Sequence, residues 1–217
     1  MTQTQKTQKI ERNEIRLRRI IENLKKLIPN PKIALIYSNP WELFVAVVLS
    51  AQTTDKQVNV VTKDLFRKYR SFDDYAKTDV LEFAKDIVRI GLYKGKAKNI
   101  IASVNIIKEK YGGRIPDRME ELLSLPGVGR KTANILLSNI YGKQEGIAVD
   151  THVKRLTKLW GLTKENDPNK IEQDLIKLVP RKDWKDFSYL VITYGRGYCP
   201  AHCKHIDCPL RRFVAVS

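Results

Sequence analysis

The run Leu125-Pro126-Gly127-Val128-Gly129-Arg130-Lys131-Thr132-Ala133 sets an amine beside a turn rich in glycine, and Val149-Asp150-Thr151-His152-Val153 supplies a carboxylate at another helix start. Proline fixes φ, and the glycines permit φ > 0 and close backbone approach, so the first run reads as a hairpin between two helices. Amides at the start of the second helix have no partner within it. With the helix dipole they favour an anionic oxygen such as a phosphate. Ala133, Leu136, Leu137, Ile140 and Tyr141 then recur at helical spacing as a stripe for a core. Lys131 falls about 160° from Ala133 at roughly 100° per residue, so it points away from that core, toward whatever the turn holds. Asp150 follows the apolar run Ile147-Ala148-Val149 at a helix N-cap position. Taken singly, a lysine on a polar face and a capping aspartate are both ordinary surface features.

The elements that must position these groups are all helical. A basic helix spans about Asn13 to Ile28, with Ile20, Leu24, Leu27 and Ile28 on one face and Arg12, Arg16, Arg18, Arg19, Lys25 and Lys26 around it. Pro40 opens a helix that is apolar nearly all round except Glu42, which predicts burial at the centre of the fold. It ends at Ala51-Gln52-Thr53-Thr54-Asp55, with Asp55 as the cap of the next helix, where Val58, Val61 and Leu65 face inward. Further helices are expected over about Asp79–Ile90, stopping at Gly91, then Lys96–Tyr111 and Met119–Ser124. Beyond Asp150 the pattern recurs over Thr151–Trp160, Pro168–Val179 and Trp184–Arg196. No alternating strand pattern, internal repeat or low-complexity linker interrupts it. The fold class is all-α, and residues 1–10, polar and aperiodic, read as a disordered tail.

The chain has 217 residues and 42% hydrophobic content, enough for a substantial core. Its formal charge of +16 predicts attraction to a polyanion through neutralised phosphates and released counterions. No apolar run approaches the roughly 18 residues of a membrane span, and the N-terminus lacks the apolar core of a secretory signal, so an intracellular protein, cytoplasmic or nucleoid-associated, is expected. Cys199, Cys203 and Cys208 are the only cysteines. Their odd count and close spacing argue for a metal or simple thiols rather than a disulfide framework.

LPGVGRKTAN followed by VDTHVKRL, together with Asn39-Pro-Trp-Glu-Leu-Phe-Val-Ala-Val-Val-Leu-Ser-Ala-Gln-Thr-Thr-Asp55 and Gly91-Leu-Tyr-Lys-Gly-Lys-Ala-Lys-Asn-Ile100, resembles the helix-hairpin-helix DNA glycosylase superfamily, specifically the endonuclease III family. The resemblance runs from about Arg16 to Cys208. It implies two helical lobes with a DNA cleft between them: a six-helix lobe over 32–143 that carries the hairpin, and a second lobe joining 11–31 to 144–217. It implies a bifunctional DNA N-glycosylase and abasic-site lyase of base excision repair that removes oxidised pyrimidines. Lys131 would be the nucleophile, and Asp150 would stabilise the charge that develops on the sugar. Gln52 would fill the space left by a flipped nucleotide and Leu92 would wedge into the base stack, while Leu125, Gly127, Gly129, Arg130, Thr151 and His152 would complete the DNA-binding surface. Physically, an apolar wedge recovers part of the few kcal/mol that unstacking a base costs. An amine must be neutral to attack C1′, and a helix N-terminus, Arg130 and a water-poor cleft would all favour that form.

The same resemblance implies a four-iron four-sulfur cluster held by cysteines at C-x6-C-x2-C-x5-C. Here the spacing is C-x3-C-x4-C, and Val214 stands where the last ligand would fall. An all-cysteine cluster is excluded by count. The expectation is a lost or degenerate centre with no cofactor required for the chemistry; His202 or His205 as a fourth ligand, and zinc, are the alternatives. The expected partner is double-stranded DNA with damaged bases or abasic sites, bound by a monomer. Two other readings stay open: a monofunctional glycosylase of the same superfamily, or a helix-hairpin-helix module that binds DNA without chemistry.

Overall fold

Asn39 accepts a hydrogen bond from the Glu42 amide at 3.0 Å, and Pro40 after it carries no amide that needs a partner, so two of the first-turn positions are settled locally. The helix that follows, α2 (Pro40–Leu49), is buried at every residue from Glu42 to Leu49. Glu42 is tolerated inside because its carboxylate accepts from the Ser38 amide at 2.6 Å and the Ser38 hydroxyl at 2.7 Å. The computed structural model describes residues 3–214, and their side chains from residue 13 onward. No strand occurs among the described residues.

The chain divides into two compact units: residues 34–145, and residues 1–33 joined to 146–217. In the first, α2 packs against α3 (Asp55–Lys68), α6 (Tyr93–Tyr111) and α8 (Arg130–Ile140), while α4 (Phe72–Lys77) and α5 (Val80–Asp86) lie on α6 and α7 (Met119–Leu123) on α8. Helix α4 was not foreseen. It is six residues long, too short for a periodic stripe, and is set by a local capping box in which Asp74 accepts from the Ser71 amide at 2.8 Å. Asp55 is not a cap: the Thr54 hydroxyl accepts from the Gln57 amide, and Asp55 is the first helical residue.

In the second unit, α1 (Gln3–Leu27) and α9 (Thr151–Leu159) join α10 (Pro168–Leu178), a 3-10 turn over Arg181–Asp183, α11 (Trp184–Gly197) and a last 3-10 turn over Arg211–Phe213. Leu17, Ile20 and Leu24 of α1 share a core with Val153, Leu156, Ile171, Leu175, Phe187, Leu190 and Tyr194. Cys199, Cys208, Leu210 and Phe213 belong to that same core. Helix α1 begins well ahead of Asn13, over residues read as a tail; Gln and Lys are good helix formers and no Pro or Gly interrupts them. Met1 and Thr2 of that tail, and the side chains of residues 1–12, lie outside the described residues.

Candidate active site and metal centre

The hairpin between α7 and α8 is closed by a hydrogen bond from the Val128 amide to the Leu125 carbonyl, at 3.1 Å, with both side chains buried. Gly127 is obligatory for two reasons at once. Its φ is +79°, and a Cβ there would stand 2.9 Å from Asn99 Nδ2 on α6. The turn is braced from the same helix by Ser103, whose hydroxyl donates to the Pro126 carbonyl at 3.1 Å. Neither Asn99 nor Ser103 stood out in the sequence, because a helix pattern shows which face is inward and not which turn it touches. Gly129 does a different job from Gly127: its backbone is extended, with φ −94°, and it is the N-cap of α8. Having no side chain, it cannot cap the first-turn amides itself, as Ser or Asp would. Lys131 is exposed while Ala133 is fully buried, and Arg130 is half-buried beside it.

Gln52 and Leu92 lie in the same unit, and both adopt the left-handed conformation, with φ of 53° and 57°. Such backbone costs a non-glycine residue of order 1–2 kcal/mol and must be held by its surroundings. Lys96 supplies part of that hold. Its side chain is only 6% exposed, and Nζ donates to the Leu49 carbonyl at 2.8 Å and to the Thr53 hydroxyl at 2.9 Å. A cation thus caps the last turn of α2, where the helix dipole is negative, and fixes the residue after Gln52. Burial pushes this ammonium below its ordinary range. Gly91 abuts the same loop: a Cβ there would lie 3.5 Å from Thr53 Oγ1 and 3.7 Å from the Gln52 carbonyl. Leu92 does not fold back onto the core; it is 66% exposed.

In the other unit Asp150 is the N-cap of α9, its Oδ1 accepting from the Val153 amide at 2.8 Å. Thr151 is exposed and His152 half-buried. The His152 ring lies against α11 where Gly195 leaves room: a Cβ at 195 would fall 2.6 Å from Nδ1. Burial lowers the His152 pKa; the Asp150 carboxylate opposes this, and the guanidinium groups of Arg196 and Arg155 add to it.

The cysteine segment corrects the expectation of a degenerate centre in a protein with no cofactor. Cys199, Cys203 and Cys208 are joined by His205, and the four ligand atoms all lie within 4.8 Å of one another. Three thiols and an imidazole are a donor set for iron or zinc. Arg155 supports the group from α9, donating to the Cys199 carbonyl at 2.5 Å and lying 3.7 Å from its Sγ. The fourth donor is His205, one of the two histidines that the sequence left open as alternatives.

Residues 45–181 match the model of the HhH-GPD superfamily base excision DNA repair protein. Endonuclease III of Synechocystis sp. is 48% identical over 82% of this chain and 81% of its own length, and that of Bacillus subtilis is 44% identical over 88% and 87%. A solved structure of a trapped endonuclease III–DNA covalent intermediate is 40% identical, covers 93% of this chain and 95% of its own, and superposes with a TM-score of 0.88. The chain belongs to the HhH-GPD superfamily of base excision DNA repair proteins. Its activity class within that superfamily is DNA glycosylase and abasic-site lyase, the endonuclease III type.

Proposed function

We propose that Lys131 is the nucleophile and Asp150 its electrostatic partner in removing oxidised pyrimidines from duplex DNA, and that the protein acts as a monomer inside the cell. One observation carries the reading. An exposed lysine sits in the first turn of α8, directly after a glycine-capped hairpin, in a chain similar to an endonuclease III captured in a covalent complex with DNA.

Lys131 Nζ attacks C1′ of the damaged nucleotide. The N-glycosidic bond breaks, the base leaves with the bonding pair and takes up a proton, and the sugar opens to an imine on the lysine. Positive charge at the sugar rises along this path, and the Asp150 carboxylate stabilises it. Forming the imine acidifies the 2′ proton. Its removal expels the 3′ phosphate by β-elimination, and water then hydrolyses the imine to free the enzyme. Gln52 and Leu92, preset in left-handed backbone, occupy the gap left by the extruded nucleotide at little further conformational cost.

The test is borohydride trapping on a duplex with a single thymine glycol, wild type beside Lys131→Ala. A covalent complex with wild type alone is the expected result. Base release without trapping would make the enzyme monofunctional and remove the nucleophilic role from Lys131. Binding with neither release nor trapping, on the lesion and on an abasic site alike, would leave only a DNA-binding module.

A further inference from the structure

We propose that Cys199, Cys203, His205 and Cys208 bind a single zinc ion as a tetrahedral Cys3His centre, with His205 Nδ1 as the fourth ligand.

The distances carry the proposal. Nδ1 of His205 is 3.5 Å from Cys199 Sγ and 3.7 Å from Cys208 Sγ. Zinc bonds of about 2.3 Å to sulfur and 2.0–2.1 Å to nitrogen, set at the tetrahedral angle, place sulfur and nitrogen ligands about 3.5 Å apart and two sulfurs about 3.8 Å apart. No two ligand atoms of the set are more than 4.8 Å apart, so a contraction of about 1 Å at the widest pair brings all four onto one ion. A cubane cluster gives each ligand its own iron at a separate corner and so holds the ligands wider apart. All four donors come from residues 199–208, a loop that closes tightly around one ion.

The structure also chooses between the histidines. His202 is exposed and outside the group, whereas His205 is half-buried within it. His205 has φ +58°, in the left-handed region that few non-glycine residues adopt. That backbone turns its amide toward Cys203 Sγ at 3.3 Å while its ring reaches the other two sulfurs. Hydrogen bonds of this kind orient thiolate ligands and spread their charge. Cys199 and Cys208 are buried in the core that also holds Leu210, Phe213 and α1, so the ion would fasten the C-terminal segment to that core. Its role is structural, and it stands apart from the proposed Lys131 and Asp150 chemistry.

Metal content and acid-labile sulfide measured on the full-length protein purified without oxygen, followed by cobalt(II) exchange, test this directly. The expected result is about one zinc per chain, no labile sulfide, and a tetrahedral cobalt–thiolate absorption after exchange. His205→Ala should weaken zinc binding at least tenfold and His205→Cys should restore it, with His202→Ala unchanged. Iron with equivalent labile sulfide would overturn the single ion, as would a chain that takes up no metal. If His205→Ala failed to fold, the cobalt spectrum of His205→Cys decides. A shift from three thiolate ligands to four supports the assignment, and an unchanged spectrum overturns His205 as a ligand.

Discussion

Lys131 touches no core, and its helix is anchored by Ala133, Leu136 and Leu137 on the opposite face. Lys131→Gln should therefore keep thermal stability within about 0.5 kcal/mol of wild type. Base release and strand cleavage should fall by about three orders of magnitude or more, read by single-turnover gel assay. Asp150 caps α9, and in the proposed mechanism its charge also acts at the sugar; substitution can separate the two. Asp150→Asn keeps a capping oxygen for the Val153 amide and loses the charge, so activity should drop with little loss of stability. Asp150→Ala loses both, and adds about 1 kcal/mol of destabilisation in a denaturant melt. Gly127→Ala meets positive φ and the Asn99 side chain together, so it should destabilise the hairpin and weaken DNA binding even with Lys131 present.

At the scale of elements, the turn that holds Gln52 in left-handed backbone is braced by Lys96, which joins the start of α6 to the end of α2. Lys96→Met fits the apolar volume but leaves the Leu49 carbonyl and Thr53 hydroxyl without their donor, at a cost of about 1–3 kcal/mol. The consequence should exceed that loss of stability. With the Gln52 turn loosened, nucleotide extrusion, followed by the fluorescence of a 2-aminopurine beside the lesion, should slow while binding to undamaged duplex stays near wild type. Equal slowing of both would show that Lys96 serves only the fold.

For the whole molecule, a charge of +16 makes DNA affinity depend on salt. Log K should fall linearly with log salt and lose on the order of a thousandfold between about 50 and about 200 mM, if about six phosphates are neutralised. No described helix is long and apolar enough to cross a membrane. The unit made from both ends of the chain is fastened where Arg16 Nη2 donates to the Phe213 carbonyl at 2.6 Å and the Phe213 ring enters the core. Phe213→Ala should cost that unit about 3 kcal/mol in a thermal melt, by opening a cavity near the chain terminus.

Apart from the short α4 and the start of α1, the helices and their inward faces, the hairpin glycines, the Asp150 cap and the direction of Lys131 were legible in the sequence. Each is set by backbone geometry over a few residues: spacing near 3.6, a fixed φ at proline, a freed φ at glycine, a side chain reaching an amide three positions on. Tertiary structure decided the rest. Asn99 and Ser103 under the hairpin, Lys96 holding the Gln52 turn and Gly195 clearing space for His152 are contacts between elements, and periodicity names a face without naming its partner. His205 shows the same limit within ten residues. Its place among the sulfurs depends on a left-handed backbone that no residue pattern specifies, because the surrounding fold, and not the local sequence, bears the cost of that conformation.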